Sequence, residues 1–226
     1  MRRPVVCAVI VTYGSRWCFL KKVIQGCIDN GVSKIIVVDN ASDEITRDNL
    51  VAIKKSLGEK LIVVRLEKNL GSAGGFRSGM IQALREGCDF IWLLDDDTAP
   101  MKGALDVLLK RYSELRKLYG DSLIALVSYR DSRPWYLRAC IDPKTPLGTP
   151  NSFLVIDLLD LMKLMIYRIL RLGRGYYNGL RKELKEKLKR GECIIPVSYW
   201  SGLFFESELI KKVGLPREEL YLYGDL

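Results

Sequence analysis

Phe90-Ile91-Trp92-Leu93-Leu94-Asp95-Asp96-Asp97-Thr98 decides how the chain is read. Five apolar residues, bounded by Asp89, run straight into three consecutive carboxylates. A short apolar run between polar boundaries predicts a buried strand, which leaves the acidic run just past the strand's C-terminal end. Adjacent negative charges repel, so a cation or a donor-rich ligand is a reason to keep three of them together. Hard carboxylate oxygens suit Mg²⁺ or Mn²⁺ holding a diphosphate. A solvated acidic turn, or a helix start with Pro100 in its first turn, reads from the same residues. The surrounding sequence bears on the choice.

Working outward, the same strand signal recurs at residues 4–12, 34–38, 61–66 and 123–128, each an apolar run rich in Val, Ile or Leu. Helical patterns lie between them. One carries Phe19, Val23 and Ile28 and stops near Gly31; a second runs from a cap at Ser42 or Asp43 to Leu57. A third opens at Asn69-Leu70-Gly71-Ser72-Ala73-Gly74-Gly75-Phe76 and runs to about Gly87, and a fourth spans 100 to about 119. Strands alternating with helices predict parallel pairing and right-handed crossovers, with ligands bound beyond the carboxyl ends of the strands. Thr12, Asp39, Asn69 and the Asp95–Asp97 run all fall at those ends. Four strand exits thus deliver polar groups to one rim, a convergence that favours a binding site over four unrelated turns.

Each exit has a chemical role and a plainer one. Asp39 can accept hydrogen bonds from a base or ribose, or it can cap a turn with Asn40 and Ser42. Gly74 and Gly75 can let a phosphate approach the start of a helix, or they can serve tight packing. Arg77, one turn further, can add a charge-assisted contact or stand in solvent. Neither a Walker A loop nor a G-x-G-x-x-G turn after the first strand is present, which disfavours P-loop and dinucleotide-binding readings.

Composition narrows the chemistry. Of 226 residues none is His, which excludes a Ser-His-Asp triad and His-ligated metal and leaves acid–base work mainly to carboxylates. The 6 cysteines are scattered without a C-x-x-C pair, so they read as small core residues of an intracellular protein, not as a zinc site or disulfide framework. Met1-Arg2-Arg3 leads into a predicted strand and not a secretory leader, and no apolar run is long enough to span a bilayer.

Of the formal net charge of +9, most lies between Lys163 and Arg190, where ten basic residues face two acidic ones, a local net of +8. The chain divides accordingly into an α/β core at 1–128, a Pro- and aromatic-rich loop over the site at 129–150, a basic amphipathic helical insertion at 151–192, and a segment at 193–226 that ends as if truncated. In the insertion, basic residues line one arc and Leu, Met and Ile the other. Such an element suits an anionic membrane surface, or a hairpin packed on its own domain or on a second subunit of an oligomer. Single-strand binders interleave aromatics with basic residues; this segment does not, so nucleic acid is not expected as a partner.

Four motifs together carry a family resemblance: Val9-Ile10-Val11-Thr12-Tyr13, Val37-Val38-Asp39-Asn40-Ala41-Ser42, the Asn69–Phe76 stretch, and Leu94-Asp95-Asp96-Asp97. In order and spacing they resemble family 2 glycosyltransferases of the GT-A fold, a Rossmann-like, mostly parallel sheet flanked by helices. The N-x-G-x-A-G-G-F and D-D-D forms look most like the galactofuranosyl- and rhamnosyltransferase branch. The resemblance covers residues 4–128 and resumes at Trp200-Ser201-Gly202 and from Gly214 to Asp225.

It implies a UDP- or dTDP-linked sugar donor, a divalent metal, and inversion on transfer to a glycan or lipid-linked acceptor; with the basic segment, the expected location is the cytoplasm or the inner face of the cell membrane. Carried over, Thr12, Asp39 and Asn40 would meet the nucleobase and ribose, with Asn69, Gly74 and Gly75 by the ribose and diphosphate. Asp95 and Asp97 would hold metal and nucleotide, Asp96 would lie nearer the sugar, and Trp200, Ser201 and Gly202 would face the acceptor. The family takes its base from a late acidic motif, for which Asp225 is the candidate; the sequence departs from that motif by ending at Leu226. A sugar nucleotidyltransferase would show a G-x-G-T-R-type loop after the first strand, which Gly14-Ser15-Arg16 is not. A catalytically impaired module that binds nucleotide sugar or docks on membrane is the other alternative.

Overall fold

The apolar run that ends in the acidic triplet is a central strand of a six-stranded sheet in the computed structural model, which describes residues 3–128, 200–217 and 219. In chain order the elements are β1 (Val6–Gly14), α1 (Trp17–Asp29), β2 (Lys34–Ser42), α2 (Glu44–Leu57), a 3₁₀ turn (Gly58–Lys60) and β3 (Leu61–Leu66). They continue with α3 (Gly71–Arg85), β4 (Phe90–Asp95), α4 (Ala104–Tyr119), β5 (Ala125–Val127), β6 (Leu203–Glu206) and α5 (Glu208–Val213). The basic segment at 151–192 and the C-terminal residues 220–226 lie outside the described residues.

The spatial order is β3-β2-β1-β4-β6-β5. β1 pairs in parallel with both β2 and β4, and β2 pairs in parallel with β3. The chain therefore winds outward from β1 to β3, then crosses back to place β4 on the other side of β1. That reversal makes the C-terminal ends of β1 and β4 a topological switch point, the place where open α/β sheets form a crevice. The sheet is mostly parallel, as expected, with one antiparallel strand: β6 pairs antiparallel with both β4 and β5.

Period-two alternation explains why this sheet is a middle layer. Along β1, Val6, Ala8 and Ile10 pack on the side of α1, α2 and α4, whereas Cys7 and Val9 pack on the side of α3 and α5. β4 divides likewise, with Trp92 and Leu94 on the first side and Ile91 and Leu93 on the second. Strands buried on both faces read as unbroken apolar runs, which is what the sequence shows. On the first side Phe90 stacks on Phe204 at 5.0 Å between centroids, and Tyr112 of α4 meets Phe90 edge-on at 4.9 Å. These contacts tie β6 to the sheet despite its four residues.

One open choice resolves and two local expectations change. Asp43 is the cap of α2, its side chain accepting the Thr46 N–H at 2.8 Å. Pro100 does not open α4, which starts at Ala104 after Gly103 at φ +82°. Pro100 instead packs against α1, where a Cβ on Gly26 would lie 2.8 Å from its ring. Among the scattered cysteines, Cys7 and Cys88, 81 residues apart with Cα atoms at 5.8 Å, are joined by a disulfide. Sequence spacing missed this pair because its proximity comes from the β1–β4 pairing. Cys27 keeps the buried core role, and burial pushes its thiol pKa up to about 12. Among the described residues no helix is long and apolar enough to cross a membrane.

Candidate functional site

Strand register lines up the predicted residues along one rim. Arg65 lies opposite Asp39, Asp39 opposite Thr12, and Val11 opposite Asp95. At the switch point the buried Thr12 hydroxyl donates to Asp96 Oδ2 at 2.7 Å. Arg16, the residue before α1, donates from Nε to both Asp96 oxygens at 2.8 Å. Its Nη2 lies 2.7 Å from Asp96 Oδ1 and 3.1 Å from Asp97 Oδ2.

A carboxylate buried without partners is strongly unfavourable, and this cluster removes that penalty from Asp96, whose side chain is 4% exposed. In return the Asp96 hydrogen bonds raise the pKa of Arg16 above its ordinary value, against the opposing effect of burial. Asp97, with 46% of its side chain exposed, faces solvent beside them. The Arg16 guanidinium also lies 5.3 Å from the Tyr13 ring and 5.4 Å from the Phe19 ring, which fixes its plane.

Trp200, Ser201 and Gly202 sit at the same strand end. The Asp95 N–H donates to the buried Ser201 Oγ at 3.0 Å, and the Gly202 N–H donates to the Leu93 carbonyl at 2.8 Å. Gly202 adopts φ +89°, a conformation that favours glycine, and its carbonyl accepts from Ser128. Trp200 is held against Phe76 with centroids 5.7 Å apart. Residues more than a hundred positions apart are thus brought together at Asp95.

At the β2 exit the plainer roles are visible. Asp39 Oδ1 accepts the Ser42 N–H at 2.7 Å, the turn cap anticipated as one alternative, and Oδ2 lies 3.6 Å from Arg65 Nη1. Asn40 clamps the loop before α3: its Oδ1 accepts the Leu70 N–H at 2.8 Å. Its Nδ2 donates to Asn69 Oδ1 at 2.9 Å and to the Gly71 carbonyl at 3.0 Å. Asn69 Oδ1 is further engaged by the Gly71 N–H. Asn40→Ala would remove three part-buried hydrogen bonds made by the buried Asn40 and is expected to cost about 2 kcal/mol. For a chain of this size that corresponds to a Tm lower by roughly 4–8 °C. A melt within 1 °C or so of wild type (roughly 0.3 kcal/mol) would show that the clamp carries no stability.

Gly74 and Gly75 are buried in α3. A Cβ on Gly75 would lie 2.6 Å from Val11 Cγ1, and one on Gly74 would lie 2.5 Å from Leu70 Cβ. Both glycines let α3 lie close against β1 and against its own leading loop. Arg77 reaches across to the Pro216 carbonyl at 3.2 Å. Sequence reasoning missed Arg16 and its flanking Tyr13 and Phe19 as site residues. The only local signal was a Thr-Tyr-x-x-Arg run leaving the first strand; the partners of Arg16 are 80 and 81 residues away.

Among the described residues no three His, Cys, Asp or Glu side chains form a group ready to hold a metal unaided. The donor set at the strand end is oxygen only. That chemistry fits Mg²⁺ or Mn²⁺ held by one or two carboxylates with the remaining positions taken by phosphate and water. Asp97 and Asp95 are the residues that would hold it. Asp225 lies outside the described residues.

Comparison with known proteins agrees with this architecture. The sequence model described as glycosyl transferase family 2 matches residues 7–153. The galactofuranosyltransferase GlfT1 of Mycolicibacterium smegmatis is 38% identical over 104 residues, 42% of this chain and 31% of that protein. GlfT1 of Mycobacterium tuberculosis H37Rv is 25% identical over 197 residues, 84% of this chain and 51% of that protein. The chain thus spans about half or less of the length of these relatives. Among solved structures, the mannosyltransferase PcManGT of Pyrobaculum calidifontis, in complex with GDP-Man and Mn²⁺, superposes with a TM-score of 0.55 at 14% identity. It is matched over 96% of this chain and 49% of its own. Residues 1–349 of S. aureus TarS give a TM-score of 0.53 at 15% identity, over 97% of this chain and 52% of that one. At these identities the structural matches speak to the fold.

Proposed function

We propose that this chain, which belongs to glycosyl transferase family 2, moves a sugar from a nucleoside-diphosphate donor to a glycan or lipid-linked acceptor. The observation that carries this reading is the arrangement at the β1–β4 switch point. Thr12 and Arg16 commit Asp96 to the protein, while Asp97 is left half-exposed at the end of β4. A crevice with a fixed buried carboxylate and a solvent-facing one suits a diphosphate bound through a divalent cation, better than it suits acid–base work by the triplet itself. When bound there, the cation would offset the charge that develops on the departing diphosphate. Asp39 with Arg65, on the β2 side, would offer both an acceptor and a donor to a nucleobase or ribose. Trp200, Ser201 and Gly202 would wall the acceptor side next to Asp95.

Inversion follows if a single carboxylate deprotonates the acceptor hydroxyl while the bond to the diphosphate breaks on the opposite face. Asp225 is the proposed base. The galactofuranosyltransferase relatives make UDP-linked galactofuranose a reasonable first donor to test, with dTDP-linked sugars as the second. For the basic segment at 151–192, the proposed role is attachment to an anionic membrane surface, placing the site beside a lipid-linked acceptor.

A thermal-shift panel of UDP, dTDP, GDP and their sugar conjugates, each with and without Mn²⁺, tests the donor site. The expected result is stabilisation by one nucleoside diphosphate that depends on Mn²⁺, since a ligand binding only the folded state raises Tm by mass action. If no nucleoside diphosphate stabilises the protein under either condition, the donor-site reading fails.

A further inference from the structure

We propose that Arg16 is a resident counter-cation of the acidic triplet, which keeps Asp96 at all times and yields Asp97 to the divalent cation that arrives with the nucleotide. This inference rests on the donor-site reading above and assigns Arg16 a positioning role within it.

The geometry separates the two carboxylates. Arg16 makes three short contacts to Asp96, from Nε to both oxygens at 2.8 Å and from Nη2 to Oδ1 at 2.7 Å. It makes one longer contact to Asp97, from the same Nη2 at 3.1 Å. Asp96 is buried and also bonded to Thr12, so releasing it would strand a charge away from water. Asp97 is half-exposed, so its contact to Arg16 can be exchanged for water or a metal at little cost, because exposed ion pairs are weak. Tyr13 and Phe19 lie against the guanidinium and hold its plane on the Asp96 side. The fork geometry is what allows one side chain to serve both carboxylates, and a lysine would not reproduce it.

Two consequences follow. Without nucleotide, the Arg16 charge beside Asp97 lowers the affinity of the triplet for a bare divalent cation. With a diphosphate present, the phosphate oxygens add ligands and negative charge, and the cation can displace the Nη2 contact. Arg16 therefore makes metal binding conditional on nucleotide.

The test is Mn²⁺ binding to wild type, Arg16→Gln and Arg16→Lys, measured by the electron paramagnetic resonance signal of free Mn²⁺, with and without UDP. For Arg16→Gln the expected Mn²⁺-only affinity is roughly tenfold tighter than wild type, the scale of removing one nearby charge at the protein surface. The factor by which UDP tightens Mn²⁺ should shrink by a similar amount. Arg16→Lys keeps a charge for Asp96 and so protects the fold, but loses the Nη2 contact to Asp97. Its Mn²⁺-only affinity should rise about threefold, a fraction of the charge-removal effect.

Loss of a purely structural contact would not tighten metal binding. Unchanged or weaker Mn²⁺-only binding in the variants overturns the proposal, and if Arg16→Gln fails to fold, Arg16→Lys alone decides. The reading of the site itself fails separately, on wild type, if neither UDP nor another nucleoside diphosphate alters Mn²⁺ binding.

Discussion

Asp97→Ala is expected to abolish Mn²⁺-dependent stabilisation by nucleoside diphosphate and to lower sugar transfer by roughly a thousandfold, the scale of removing a main electrostatic stabiliser of a leaving group. The fold should survive it. Asp97 is half-exposed, and its contacts include one Arg16 nitrogen at 3.1 Å and the Thr98 hydroxyl at 3.2 Å. Exposed pairs of this kind contribute at most about 1 kcal/mol, so the melting temperature without ligand should move by only a few degrees. Asp96→Ala makes the informative contrast. It removes the buried partner of Thr12 and Arg16, and should lower stability in the absence of any ligand. The two variants thus separate a group that serves the ligand from one that serves the protein. Measurement needs the melting curves of both variants with and without Mn²⁺ and UDP, together with transfer from a UDP-sugar. If Asp97→Ala retains metal-dependent nucleotide stabilisation, the cation is not held at Asp97.

That contrast was not visible in the residues alone, where Asp95, Asp96 and Asp97 are chemically equal. What could be read was their position. Apolar runs fixed by period and length gave β1, β2, β3 and β4 closely, because strands buried on both faces leave an unbroken Val/Ile/Leu signal. Strand ends then located Thr12, Asp39 and the triplet, and the register places them side by side. The antiparallel edge was missed for a different reason. Leu203–Glu206 is too short to announce itself, and its place between β4 and β5 depends on contacts such as Phe204 on Phe90 that join distant parts of the chain. The same limit applies to Arg16, to the Cys7–Cys88 pair and to the seat of Ser201 under Asp95. In each case the residue type was ordinary and only the partner, some 80 or more positions away, made it specific. The glycines of α3 sit between these extremes. Their clustering was legible, but whether they faced a phosphate or a strand was not.

Gly79 shows how far the packing reading departs from one based on propensity. In an ordinary helix, replacing a mid-helix glycine with alanine stabilises by about 1 kcal/mol. Here a Cβ at Gly79 would lie 2.2 Å from Val9 Cγ1 and 3.0 Å from Val38 Cγ2. Both valines are fully buried on central strands, and a β-branched side chain on a strand has little rotamer freedom with which to withdraw. Overpacking of a well-filled core costs about 1–3 kcal/mol, and more where backbone must move. The steric cost therefore exceeds the propensity gain. Gly79→Ala is expected to destabilise by about 2 kcal/mol net, and Gly79→Val by about 4 kcal/mol. In melting temperature the alanine variant should fall by roughly 4–8 °C.

A second substitution tests the cause. Val9→Ala alone leaves a small cavity and should cost about 1–3 kcal/mol, but it removes the Val9 methyl that the new Cβ meets most closely. Gly79→Ala with Val9→Ala should then be more stable than the sum of the single effects predicts, by at least about 1 kcal/mol, as contacting residues commonly couple. Urea unfolding of the four proteins gives the coupling directly. Strict additivity, or a Gly79→Ala variant as stable as wild type, would mean that α3 can lift from β1 at no cost. In that case the same close packing at Gly75, against Val11 one residue before Thr12, could not be what sets α3 beside the site.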